Sequence, residues 1–390
     1  MTGFARLSAA PILILAAAAA AQEAASPLTD AQQFNFVLGT QTFGPAYQFT
    51  GETRLVETAQ AILDLGSNAI KFGLNERYFG ERANVPEAVP GVASLTDLAR
   101  DEPSHRRVLD MPFAYYLLWV YGFSPGWWDR GFSEADRKLE YDEMYAFVSY
   151  LLETYNGSGK TFYLGHWEGD WHLRRGYDAQ DDSVVKPEAV EGMIAWLNAR
   201  QQAIEDAKRD VPHERIRVYG YTEVNLAKLA MEGRPSVTND VLPRTAVDFV
   251  SYSSYDSGTD LRPALDYIES KLPRKPGLPG KRVFIGEYGF PAVHHSPEAQ
   301  DARSREVMRA GLEWGCPFVL YWELYNNEVD DAGRQRGFWL IDDLGVRQPV
   351  YETHAAFYAR GREYVAAFRA AHGRLPTDAE FRATALHWLD

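Results

Sequence analysis

Two short segments of this chain carry a carboxylate in the same local setting. Residues 282–291 read Arg282-Val283-Phe284-Ile285-Gly286-Glu287-Tyr288-Gly289-Phe290-Pro291, an apolar run that delivers Glu287 into a Gly/Pro turn. Residues 161–171 pass through Phe162, Tyr163 and Leu164 to His166-Trp167-Glu168-Gly169-Asp170-Trp171, which sets Glu168 at the corresponding place. A short apolar run closed by turn residues reads as a strand. Two carboxylates held on rigid strand ends suit displacement at the anomeric carbon of a sugar. One attacks while the other protonates the leaving oxygen, and retention of configuration places them about 5 to 5.5 Å apart.

Positioning two such groups requires strands that converge. Eight strands are predicted at residues 36–43, 69–74, 116–122, 161–167, 216–222, 248–255, 282–287 and 318–323. Helical patterns lie between them, at about 53–64, 133–155, 187–207, 261–271, 297–314 and 353–371. Ser133 with Asp136 forms a capping arrangement, Gly157 is placed to end that helix, and Pro187 suits a first turn. Alternating strands and helices imply parallel β-α units, and eight of them a (β/α)8 TIM barrel whose functional groups sit at the carboxyl ends of the strands. Residues 27–390 are read as this single domain, with a short terminal helix at 377–389. Residues 76–103, with Pro86, Pro90 and Gly91, are read as a long loop after strand 2, a wall or lid on the functional face.

Strand-end Glu in the fourth and seventh units, a Tyr-rich sixth strand and a Trp in the eighth together resemble clan A of the glycoside hydrolases, over most of the chain. The resemblance implies that Glu168 is the acid/base and Glu287 the nucleophile of a retaining double displacement. It also implies that Tyr252 or Tyr255, in Ser251-Tyr252-Ser253-Ser254-Tyr255-Asp256, hydrogen-bonds the nucleophile, and that Trp322 in Tyr321-Trp322-Glu323-Leu324 floors the sugar subsite. The sequence departs from the clan in two places. Trp167 stands where the clan has Asn before the acid/base, and Lys71 lies in the region of the common second-strand Arg.

Other assignments stay open. Glu223, in Tyr221-Thr222-Glu223-Val224-Asn225, ends the next strand in the same way as Glu168 and becomes the acid/base if the strands are miscounted by one. Otherwise Glu223 and Asn225 are substrate contacts, as are Lys71 and His166. Asn75-Glu76 is read as lid or substrate contact, and Glu323 binds either a sugar hydroxyl or a neighbouring donor. Aromatic rings stack on the apolar faces of sugars. Trp127, Trp128, Trp167 and Trp171 therefore count as candidate platforms, with burial as a loop anchor an equal alternative for the Trp127-Trp128 pair. Trp196 and Trp314 fall in helical patterns and are read as core.

A run of small and apolar residues from Ala9 to Ala21 behind Arg6 reads as an export signal over residues 1–25, implying a bacterial periplasmic or secreted protein without a membrane anchor. The net charge of -14 argues against nucleic acid and anionic membranes as partners, identifies no partner and says nothing of oligomeric state; the carbohydrate substrate is what the resemblance implies. Cys316 is the single cysteine, so an exported domain would be held by its core, and its neighbours Trp314 and Phe318 make it an inert buried thiol. No cofactor motif is present. The alternation His166, Glu168, Asp170, His172 is a spacing that a metal site could use. It ranks below the metal-free mechanism because strand 1, Gly39-Thr40-Gln41-Thr42-Phe43, has no His-x-His pair, and His294-His295 reads as a polar turn. The alternatives to a glycosidase are a catalytically inactive carbohydrate-binding barrel and, lower, a metal-dependent hydrolase.

Overall fold

The computed structural model describes residues 27–80, 83, 85–123, 127–278 and 280–390. The export signal expected over residues 1–25 lies outside the described residues. Eight parallel strands, β1 (Leu38–Gln41), β2 (Ala69–Leu74), β3 (Tyr115–Val120), β4 (Thr161–Gly165), β5 (Arg217–Val224), β6 (Phe249–Ser253), β7 (Val283–Tyr288) and β8 (Val319–Tyr321), close into a barrel in sequence order. The expected (β/α)8 barrel is therefore the observed fold.

Strand side chains alternate between two apolar layers, because successive residues of a strand point to opposite faces. Leu117, Tyr163, Tyr221, Phe249, Phe284 and Leu320 fill the barrel interior. Their neighbours Ile70, Phe72, Phe162, Val250 and Val283 join the larger core shared with the helices. This parity sends Lys71, between Ile70 and Phe72, into the barrel.

The helices are α1 (Arg54–Leu65), α2 (Leu95–Asp101), α3 (Pro103–Asp110), α4 (Glu134–Thr154), α5 (Gly169–Arg174), α6 (Pro187–Asp210), α7 (Ala227–Met231), α8 (Arg262–Lys271), α9 (Pro297–Trp314), α10 (Pro349–His372) and α11 (Asp378–Ala385). The capping box of α4 forms as read, with Ser133 Oγ accepting from Asp136 N and the Asp136 carboxylate accepting from Ser133 N. The reading of 76–103 as one long loop needs correction. α2 starts at Leu95, where Ser94 Oγ accepts from Asp97 N at 3.1 Å, and Pro103 occupies the first turn of α3. Pro and Ser there mark helix starts rather than irregular chain, so the loop between β2 and α2 ends at Ser94. Trp196, Trp314 and Cys316 are buried, and burial pushes the Cys316 thiol up to about 12.

Candidate active site at the carboxyl ends of the strands

Simple alternation along β7 would turn Glu287 outward, since Phe284 points in and Ile285 out. A bulge prevents this. Tyr252 of β6 pairs with Ile285 and the next residue, Ser253, pairs with Glu287, so Gly286 is the extra residue. Bulges re-aim the side chain that follows, and here Glu287 turns into the cleft while Tyr288 packs in the outer core. The position admits only glycine on grounds of space. A Cβ on Gly286 would lie 1.7 Å from Ser251 Oγ and 3.3 Å from Glu223 Oε2. Gly286→Ala is therefore expected to cost about 1–3 kcal/mol by overpacking and to lower activity by displacing Ser251, as urea titration and steady-state rates would record.

Beneath Glu287 lies an enclosed charge cluster. Lys71 Nζ donates to Glu223 Oε2 at 3.0 Å, to Glu287 Oε1 at 3.2 Å and to the Gly286 carbonyl at 3.1 Å, and none of its side chain reaches solvent. The ammonium also sits 4.3 Å from the centre of the Trp119 ring. Glu223 is fully enclosed. Its Oε2 accepts additionally from Ser251 Oγ at 2.6 Å and Trp119 Nε1 at 3.3 Å, and its Oε1 accepts from the backbone N–H of Glu168 at 3.0 Å. Four donors converge on this carboxyl and tie β2, β3, β6 and the β4 end together. Glu223 closes the fifth strand and Glu168 follows the fourth, which matches the strand count read from the sequence.

Glu168 and Glu287 both face the cleft and are both nearly buried. Burial first, then the negative charges of Glu287 and Glu223, hold the Glu168 carboxyl well above the usual carboxylate range. Burial also pushes Glu287 up, to about 8, against the opposing pull of Lys71 and of hydrogen bonds from Lys71 and Tyr255. Lys71 and the Tyr255 hydroxyl, 3.3 Å from Glu287 Oε2, are donors that favour the ionised form of Glu287. The Trp171 indole lies beside the Glu168 carboxyl, and among the described residues no cation is within ion-pair distance of it. Of the two, Glu287 has the donors that favour an ionised carboxyl, and Glu168 has the negative neighbours that favour a protonated one.

The other expected contacts divide. Tyr252 has outward parity, and its hydroxyl is bonded to Asp256 and, at 2.6 Å, to Ser257; of the two tyrosines it is Tyr255 that meets Glu287. Trp322 lies in the cleft, its indole N–H 3.3 Å from Glu328 Oε1, and Glu328 is held by Arg336 at 2.6 Å. Asn225 and Asp170 brace each other: Asp170 N donates to Asn225 Oδ1 at 3.2 Å and Asn225 N to Asp170 Oδ2 at 2.9 Å. Asn225 still borders the cleft. Glu323 is buried and accepts from the Phe43 backbone N–H at 2.9 Å. Trp128 is fully buried, with its ring centre 6.1 Å from that of Trp196, whereas Trp127 is partly exposed.

His166 and His172 have separate partners. His166 Nδ1 faces the Trp167 carbonyl at 2.9 Å and Nε2 the Thr222 hydroxyl at 2.8 Å, and burial depresses its pKa to about 3. His172 Nε2 meets the Tyr121 hydroxyl at 3.1 Å, and burial lowers it to about 4. Among the described residues no group of three or more His, Cys, Asp and Glu side chains is placed to hold a metal ion.

Trp119, Ser251 and Tyr121 belong to the site although sequence reading missed them. Their signal was parity: Trp119 lies two residues beyond the inward Leu117, and Ser251 two beyond the inward Phe249. Tyr121 accepts from Trp167 N at 2.8 Å and so fixes the segment that carries Glu168.

Trp167 borders two larger cavities of the cleft. One, of about 540 Å³, contains Glu168, Glu287, Trp322 and Tyr255. The other, of about 610 Å³, extends over the ends of β2 and β3 and is bordered by Asn75, Glu76, Trp119 and Trp127.

The barrel is shared with solved glycoside hydrolases at low identity. A GH5_18 protein from Bifidobacterium longum subsp. infantis matches with a TM-score of 0.54 and 12% identity, over 83% of this chain and 78% of that one. A GH5_18 protein from Streptomyces cattleya, solved in complex with Manβ1-4GlcNAc, matches with a TM-score of 0.53 and 12% identity over 87% and 81%. A family 39 glycoside hydrolase from the gut symbiont Bacteroides cellulosilyticus WH2 matches with a TM-score of 0.50 and 13% identity over 83% of this chain, which spans only 64% of that protein. No family model and no curated protein matches the sequence. At these identities the likeness establishes the fold alone.

Proposed function

We propose that the protein is an exported glycoside hydrolase that cleaves a poly- or oligosaccharide with retention of configuration. The observation that carries this reading is the unequal surroundings of two cleft carboxylates. Glu287 has Lys71 and Tyr255 as donors, while Glu168 is buried against negative charge. Environments that push two acids apart assign their roles. Glu287 attacks the anomeric carbon as Glu168 gives its proton to the leaving oxygen. Glu168 then takes a proton from water, which displaces Glu287 from the sugar and releases it with the original configuration. Trp322 supplies the ring on which the sugar rests. Export rests on the apolar run behind Arg6. No helix among the described residues is long and apolar enough to cross a membrane.

Glu168→Ala tests the assignment of the acid. Rates on glycosides with poor leaving groups are expected to fall by about 10²–10⁴-fold, whereas 2,4-dinitrophenyl glycosides, which leave unprotonated, should keep a fast first step. Added azide, a small anion able to enter the vacated space, should restore turnover and yield a glycosyl azide of retained configuration, read by proton NMR. Equal losses on both substrate types without azide rescue would refute the role. The second reading, a binding barrel without catalysis, is favoured by Trp167 standing directly before Glu168. It predicts sugar binding by the parent protein and no reducing ends released.

A further inference from the structure

Past Trp167 and Trp171 the cleft continues into a shallow groove of about 280 Å³ whose lining includes neither Glu287 nor Trp322. Trp167 and Trp171 border both the cleft and this groove. Three observations single the groove out. Its aromatic side chains are presented to solvent rather than packed away: Tyr177 is 76% exposed and Trp127 37%. The Tyr177 ring stands at 61–62° to its neighbours, 6.2 Å from Trp167 and 5.8 Å from Trp171. The charges lining it are matched within it, Arg175 Nε lying 3.0 Å from Asp129 Oδ2, which pins the segment after β3 to the end of α5.

The backbone that presents Tyr177 is unusual as well. α5 stops at Arg174 because Arg175 adopts a left-handed conformation, φ +57°, uncommon for a side chain of that size. The chain turns there and brings Gly176 and Tyr177 back beside Trp171, with Gly176 N bonded to the Trp171 carbonyl at 3.1 Å. Sparsely populated backbone held next to a reaction cleft points to a function for what it presents.

We infer that Trp127, Trp167, Trp171 and Tyr177 form a platform for the leaving-group portion of an uncharged glycan chain, so that oligo- or polysaccharides are bound through contacts that simple glycosides lack. The inference rests on the glycosidase reading for its direction along the chain: the group that receives the Glu168 proton must depart past Glu168. The platform itself stands on the exposed rings. Amphipathic rings suit a ligand with apolar faces and a hydroxyl rim, and the paired Asp129 and Arg175 leave no net charge to attract an acidic sugar.

The test is affinity electrophoresis of Glu287→Gln protein, so that the glycan is not degraded, through gels containing mixed-linkage β-glucan, glucomannan, galactomannan or arabinoxylan. Retardation by at least one of these is expected. Adding Tyr177→Ala should weaken that binding about tenfold, while Tyr177→Phe, which keeps the ring, should bind like its parent. In the catalytic background, Tyr177→Ala should lower the ratio of polysaccharide to 2,4-dinitrophenyl glycoside turnover by the same factor. Failure of every polysaccharide to retard the protein, or equal retardation with and without the Tyr177 ring, overturns the platform. Hydrolysis of the dinitrophenyl glycosides by the parent reports on Glu287 and Glu168 separately. A protein that binds through Tyr177 without hydrolysing them would keep the platform and lose the catalytic reading.

Discussion

Glu287→Gln is expected to lower kcat by about 10⁴-fold or more while leaving the protein folded, because removing a nucleophile abolishes the covalent route and leaves only the contribution of binding and electrostatics. Gln occupies the volume of Glu, its amide oxygen can still accept from Lys71 and its NH2 can donate to the Tyr255 hydroxyl oxygen, so packing is preserved. The effect on stability has a definite sign. Burial raises the folded-state pKa of Glu287 from 4.5 to about 8. Between these values the folded protein binds a proton that the unfolded chain does not, so this group's contribution to stability declines as pH rises through that window. The Gln variant lacks the decline. Its melting temperature should equal or exceed that of the parent, most clearly toward pH 8, as calorimetry across that range would record. A variant with near-parental kcat removes Glu287 from the mechanism.

Lys71→Met should act on stability and activity together. The methionine fills the space of the lysine stem but leaves Glu223 and Glu287 enclosed without their shared cation. Breaking a buried pair by removing one partner costs about 3–5 kcal/mol, which urea denaturation can measure directly. Loss of a single preorganised charge at a reacting group lowers kcat by about 10²–10³-fold. The pH profile separates this from simple damage. Without the cation the Glu287 pKa rises, so the acidic limb of kcat/KM should move to higher pH. Combining Lys71→Met with Glu223→Gln removes the second buried charge and should recover part of the lost stability, a coupling that a double-mutant cycle isolates. An unshifted acidic limb together with additive stabilities would show that Lys71 does not act on Glu287.

Much of this site was legible because it follows from local rules. Glu287 in Gly286-Glu287-Tyr288-Gly289 marks the end of a strand by composition alone, and Glu168 stands at the same place three units earlier. The choice between Tyr252 and Tyr255 could have been made from parity. Tyr252 alternates with the inward Ser251, so it faces the helices, whereas Tyr255 lies past the strand end and is free to turn back. Trp119 was open to the same reasoning and was overlooked because it sits within a continuous apolar run, Tyr115 to Val120, where hydrophobicity does not distinguish the two faces.

Other features had no local signature. The bulge at Gly286 depends on the mismatch between β6 and β7, and nothing in an apolar run announces that one residue will be left unpaired. The four donors on Glu223 come from β2, β3, β6 and the β4 end, separated by up to 152 residues. Lys71 looked like a replacement for a missing contact, and only closure of the barrel made it the cation between two buried carboxylates. Tyr177, read from sequence as nothing in particular, faces Trp167 and Trp171 because Arg175 turns the chain back.

The chain by itself therefore determined the number of β-α units, the strand-end placing of Glu168 and Glu287, and the abundance of aromatic residues around them. These rest on hydrophobic period, turn residues and side-chain alternation, which act over a few positions. Tertiary structure alone decided which charges neutralise one another, which carboxylate has a cation beside it and which rings remain open to a ligand. Those depend on burial and on distances of a few ångströms between residues remote in sequence, and these quantities exist only once the barrel has closed.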